Sequence, residues 1–155
     1  MSTGPNRDDV IALMAHVYAL VRACPIGRVT TYSWLGKAVG HPRGARMIGW
    51  VMNETPAGIP AQRVVSSKGE LTGSWAFGGL GKMRQRLTDE QIVFAADDHI
   101  DLKLFGWDPN RDLSTAEREQ IAAGATDIAV VPSERFWHLL AHDPASPFRQ
   151  NPPPV

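Results

Sequence analysis

With 155 residues, 43% of them hydrophobic and 21% charged, the chain has the make-up of one ordinary globular domain with room for an appendage. No apolar run approaches the roughly 20 residues that cross a membrane. The N-terminus has no signal-peptide core and the single cysteine allows no internal disulfide, so a cytoplasmic location is expected. The formal net charge is zero, which argues against a nucleic-acid binder until its distribution is read. Between Arg22 and Lys68 lie seven basic residues and only Glu54 opposes them, a local charge of +6 balanced by −6 elsewhere. Such a segment suits a phosphate-binding face, or is an accidental excess on a solvated surface.

Val10, Ile11, Met14, Val17, Tyr18 and Val21 recur at helical spacing, which predicts a first helix over residues 8–23 with Asn6 as N-cap and Pro25 as its stop. A turn and a short extended segment, residues 26–30, lead to Thr31, which can cap a second helix over residues 32–39 ending at Gly40. His41-Pro42 opens a third helix, with Pro42 in its first turn, running through Arg46 and Met52 and finishing before Pro56. The pair makes a helix-turn-helix pattern, which on periodicity alone many helical hairpins share.

Val64-Val65 and Glu70-Leu71-Thr72 flank Ser-Ser-Lys-Gly and are expected to form a small hairpin or wing. A Gly-rich loop, residues 73–79, enters a helix over residues 80–87, and Thr88 with Gln91 reads as a capping box for another short helix. Residues 100–109 close the domain. Beyond them, Ser114 and Glu117 can cap a helix through Ala123, and Pro132 or Ser133 can start one through Ala141, with Phe136, Leu139 and Leu140 as its apolar stripe. The Pro-rich end reads as disordered.

Three pieces carry more than architecture. They are Tyr32 in Val-Thr-Thr-Tyr, Arg46 in Gly-Ala-Arg-Met-Ile-Gly, and Pro60-Ala61-Gln62-Arg63-Val64-Val65. In this order and at these spacings they resemble the DNA-binding domain of O6-alkylguanine-DNA alkyltransferases. That family's frame reads Pro-Cys-His-Arg-Val, and its cysteine takes the alkyl group from damaged guanine. Alkyl transfer needs a thiolate and a neighbouring base to form it. Ala61 offers only a methyl group and Gln62 no titratable proton, so the chain is most similar to the alkyltransferase-like branch, which lacks the cysteine. Cys24 is far from the frame in sequence and reads as a small buried hydrophobe.

The resemblance implies a mainly α fold with a small β wing, a winged helix-turn-helix over residues 8–109 and a C-terminal helical extension over residues 110–155. It implies that Arg46 enters duplex DNA and fills the space of a flipped base, and that Tyr32 contacts the rotating phosphate. The helix carrying Gly44, Ala45 and Gly49 would lie in the minor groove on its small side chains, although those residues also suit close helix packing. Ala61, Val64, Val65 and Trp75 would line a pocket for O6-alkylguanine, with Trp75 either stacking on the base or anchoring its loop. Arg63 is structural, and Asn53 either holds the turn into the frame or ends its helix.

The expected function is damage recognition without catalysis, by a monomer on double-stranded DNA, marking the lesion for nucleotide excision repair proteins. A sequence-specific regulator and a transferase with an unrecognised nucleophile are the other readings. His16, His41, His99, His138 and His142 match no common ligand spacing with Cys24, so no metal or cofactor is expected.

Overall fold

A computed structural model describes residues 6–73 and 80–149; residues 74–79 of the Gly-rich loop, with Trp75, and the Pro-rich end lie outside the described residues. In chain order the elements are α1 (Arg7–Ala23), β1 (Thr30–Thr31), α2 (Tyr32–Ala38), α3 (Ala45–Asn53), β2 (Val64–Val65), α4 (Leu80–Asp89), α5 (Leu102–Phe105), α6 (Pro109–Asp112), α7 (Thr115–Ala123) and α8 (Glu134–His142). Single 3-10 turns occupy Ala61–Arg63 and Gly124–Asp127. The mainly α class with a small β element is the one expected.

Local capping accounts for most helix starts. Asn6 accepts from the Asp8 amide, Thr31 from Trp34 and Ser133 from Phe136, while Ser114 and Glu117 complete a reciprocal capping box. The central helix is α1. Its apolar stripe widens toward the C-terminal half, where residues 17–21 are all buried. The Tyr18 hydroxyl donates to the Val51 carbonyl at 2.6 Å, so the phenol crosses the core with its polar end satisfied and joins α1 to α3.

Two helices, α2 and α3, joined by residues 39–44, form the helix-turn-helix. Gly40 takes φ +87, a left-handed position that suits glycine, and the His41 amide returns to the Gly36 carbonyl at 2.8 Å. The third helix begins later than Pro42 suggests. The His41 carbonyl accepts from Gly44, and the first α-type bond runs from the Ile48 amide to Gly44 at 2.9 Å. Pro42 therefore belongs to the turn, and Gly44 is the N-cap rather than an interior glycine.

The β element also pairs differently from the hairpin expected. Val64-Val65 lies parallel to β1, in register Thr30 with Val64 and Thr31 with Val65. Residues 66–70 form the tight turn, closed by the Ser66 amide on the Glu70 carbonyl at 3.0 Å, but Glu70-Leu71-Thr72 joins no ladder. Instead the Ile100 amide bonds to the Gly69 carbonyl at 3.0 Å. Gly69 sits at φ +79 so close to Ile100 that a Cβ would collide with that residue's carbonyl oxygen.

A second correction concerns residues 88–91. Thr88 stays inside α4, and the helix ends in a Schellman motif: Gln91 at φ +72, its amide on Thr88 at 3.0 Å, and the Ile92 amide on Leu87 at 3.0 Å. Leu87 and Ile92 meet in the core, so burial selects a helix stop over a new start.

Strand alternation divides the interior. Val64 points into a core built from α1, α2, α3 and α8, whereas Val65 points into a second core with Val29, Leu71, Met83, Leu87, Ile92 and Ile100. The C-terminal residues are part of this interior. The α7 segment packs on α1 with Ala125 against Ala15 and Ala19, Arg22 pairs with Asp127 at 3.0 Å, and α8 buries Phe136 and Leu140 in the first core. Phe136 is 2% exposed. Phe136→Ala should lower the unfolding free energy by roughly 3–5 kcal/mol in urea titrations while keeping one transition. A near-neutral substitution would show that α8 is not part of the core.

Candidate nucleic-acid interface

One side of α3 is buried through Met47, Ile48 and Val51, which leaves Ala45, Arg46, Gly49 and Asn53 to face outward at helical spacing. These four line an open cleft of about 420 Å³, closed on the other side by Tyr32 and Ser33 at the start of α2 and by Ser66, Ser67, Thr72 and Gly73. The Arg46 side chain is 68% exposed. Burial pushes the Tyr32 phenol pKa up, partly offset by a hydrogen bond with Thr72, so the ring presents a neutral hydroxyl at the cleft.

Of the residues expected to meet DNA, Tyr32, Ala45, Arg46 and Gly49 share this cleft. Gly44 does not. It is buried at the N-cap, where an added Cβ would come within 2.9 Å of the His41 Cβ, so its smallness serves the turn. The positive segment is also thinner than its sequence suggests. Arg22 pairs with Asp127, Arg28 donates to the Leu104 carbonyl at 2.9 Å, and Arg63 is turned inward. Arg22 and Arg28 are exposed but held in those contacts; the other exposed cations of the segment are Lys37, Arg43, Arg46 and Lys68, on α2, the inter-helix turn, α3 and the Ser66–Glu70 turn.

A second cavity of about 550 Å³ opens beside the C-terminal end of α3. Met52, Asn53, Pro56, Ala61, Lys82 and Arg86 are among its lining residues, and Asn53 belongs to both spaces. Ala61 is half-buried in this wall, with its amide on the Ile59 carbonyl at 2.8 Å. Val64 and Val65, expected beside it, are 1% and 0% exposed. Strand alternation sends each into its own core, so they support the pocket from behind and line neither cavity.

The two polar residues of the frame converge on a carboxylate that sequence spacing did not single out. Gln62 Nε2 donates to Glu90 at 3.1 Å, and Arg63 makes a bidentate pair with it, Nε to Oε1 and Nη2 to Oε2, each at 2.9 Å. The remaining arm, Arg63 Nη1, donates to the Cys24 carbonyl at 2.8 Å. The Arg63 and Glu90 side chains are 11% and 14% exposed. Burial pushes the Glu90 carboxyl up, but the hydrogen bonds from Arg63 and Gln62 and the Arg63 charge outweigh it and hold the group below its ordinary value. The same pairing raises Arg63. Cys24 itself is buried, and chiefly for that reason its thiol is pushed up to about 12. Such a thiol is a poor nucleophile near neutral pH.

Among the described residues no group of three His, Cys, Asp or Glu side chains converges as a metal site. His99 faces Glu70 at 3.3 Å instead, and the His138 and His142 rings lie 4.7 Å apart.

A sequence model of the 6-O-methylguanine DNA methyltransferase DNA-binding domain matches residues 12–92. The chain belongs to that family. Its affinity is with the alkyltransferase-like members. It is 38% identical to the DNA base-flipping protein of Escherichia coli K12 over 95 residues, 59% of this chain and 70% of that protein. It is 31% identical to alkyltransferase-like protein 1 of Schizosaccharomyces pombe over 78 residues, 49% of this chain and 72% of that one. The fold superposes on S. pombe Atl1 in complex with damaged DNA containing O6-carboxymethylguanine with a TM-score of 0.57 and 25% identity, covering 68% of this chain and all of that one. The family match contains the frame and Glu90 and stops before the segment that carries α5 to α8.

Glu90→Gln should cost roughly 2 kcal/mol, since a neutral amide then faces a buried guanidinium. Because the folded pKa of Glu90 is depressed, its contribution is present above the ordinary glutamate value of about 4.3 and disappears as pH falls through the folded value. Urea titrations of both proteins from pH 7 to pH 3 should therefore converge at the acid end. A pH-independent difference would contradict the assignment.

Proposed function

We propose that the protein recognises O6-alkylguanine in duplex DNA and holds it without removing the alkyl group. The observation that carries this reading is Arg46 standing over a cleft that adjoins a pocket walled by Ala61, where the family frame has its nucleophile. The α3 face is low at Ala45 and Gly49, which lets a sugar-phosphate wall approach closely. Docking in the minor groove suits a protein that inspects any sequence, because that groove is degenerate in its hydrogen-bond pattern.

Extruding a base costs a few kcal/mol. Arg46 repays part of this by entering the gap, where its guanidinium can stack and donate hydrogen bonds while staying charged. Tyr32, as a neutral donor at the cleft edge, steadies the rotated phosphate. The alkylated base then enters the cavity beside Ala61. Gln62 keeps the hydrogen bond to Glu90 but has no titratable proton, so the pocket binds and does not react. Repair must follow from other proteins, and we assign the bound complex to nucleotide excision repair, with the protein acting as a monomer.

The experiment uses a duplex with a labelled O6-methyl group and 2-aminopurine beside the lesion. Wild type should brighten the fluorophore while all label stays on DNA, and Arg46→Ala should lose the brightening and about tenfold in affinity, or 1.4 kcal/mol. Label on the protein would overturn the non-reactive reading. Ala61→Trp fills the pocket with an indole and should weaken binding of O6-benzylguanine more than O6-methylguanine; equal or tighter binding of the bulky adduct would reject Ala61 as the pocket wall.

A further inference from the structure

The segment beyond the family match is fastened to α3 at both ends. The two helices α3 and α8 are nine residues each. Ser133, the N-cap of α8, donates its amide to Glu54 Oε1 at 2.7 Å, and Glu54 is the C-cap of α3. At the opposite end Asp143, the C-cap of α8, places Oδ2 3.8 Å from Nη2 of Arg46, in the first turn of α3. The helices therefore run antiparallel, with Phe136 and Leu140 buried between these ends.

Asp143 is held firmly, while Arg46 is not. The carboxylate is 15% exposed, and its other oxygen accepts from the Ala145 amide at 2.8 Å. The chain after it is pinned as well: the Ser146 hydroxyl is buried on the Leu140 carbonyl, and Phe148 packs on His41 with ring centroids 5.2 Å apart. His41 belongs to the turn that precedes α3. The guanidinium, 68% exposed, meets the carboxylate without a close hydrogen bond. It is an ion pair with one fixed and one free partner.

We propose that Asp143 is a positioning residue for Arg46: it draws the guanidinium toward α8 in the free protein and releases it when the arginine enters DNA. This rests on the reading that Arg46 is the inserted residue. Releasing the latch subtracts from the affinity of the inserted complex, and a pair this exposed changes an equilibrium by about two- to fivefold. Binding that does not insert Arg46 leaves the latch closed and is not penalised. The C-terminal extension thus tunes the readiness of the arginine as well as completing the core.

The test is a cycle of wild type, Asp143→Asn, Arg46→Ala and the double variant on O6-methylguanine duplex at one salt concentration. Asparagine keeps the oxygen that accepts from Ala145, so the turn is preserved and thermal unfolding should confirm it. Asp143→Asn should bind two- to fivefold tighter with Arg46 present and show no gain in the Arg46→Ala background. A gain that persists without Arg46 identifies simple repulsion of phosphate and overturns the proposal, as does unchanged or weaker binding. The Arg46 Nε–H resonance of the DNA-free protein should shift in Asp143→Asn, and an unmoved resonance also overturns the latch. Absence of lesion preference in wild type would defeat the functional reading instead, while this resonance still decides whether the latch exists.

Discussion

The guanidinium of Arg63 ties together three parts of the chain that are distant in sequence. One edge grips Glu90 at the end of α4, one arm holds the Cys24 carbonyl at the end of α1, and its own backbone lies in the 3-10 turn that carries Ala61. The strand that follows sends Val64 and Val65 into two different cores. The wall of the pocket is thus held by a buried ion pair on one side and by packing on the other. Position 61 is fixed in space whether or not the residue there can react.

That separation of scaffold from chemistry explains how such a site can change its output. Gln62 is a neutral donor that satisfies Glu90 and adds no titratable group next to Ala61. In the proposed function, alanine at position 61 leaves the cavity room for an adduct. The proposed binding surface is built elsewhere, on α3, whose buried face belongs to the first core and whose outer face carries Arg46. In this proposal recognition and reaction rest on different residues, so that losing the second would leave the first standing.

The parts visible in the sequence were those fixed by neighbours. Asn6, Thr31, Ser114 and Ser133 each cap the helix that follows within three residues, and the α1 stripe follows helical period. What sequence misplaced was decided by distant contacts. Thr88 and Gln91 have a capping spacing, yet Ile92 reaches the core and turns the segment into a helix stop. The hairpin reading of Val64-Val65 failed because Thr30-Thr31, over thirty positions earlier, supplies the pairing edge. Glu90 and Asp143 carry no local signal; each matters only through an arginine that the fold brings to it. The same distance rule emptied the pocket of its two valines and the inter-helix turn of a helical Pro42.

The central claim is that this surface distinguishes a damaged guanine from an intact one. It is tested most directly by equilibrium affinities for two duplexes of one sequence, with and without O6-methylguanine, at the same salt concentration, since phosphate contacts make affinity salt-dependent. The account predicts tighter binding of the damaged duplex, by about tenfold or more, or at least 1.4 kcal/mol. Equal affinity for the two duplexes would contradict it.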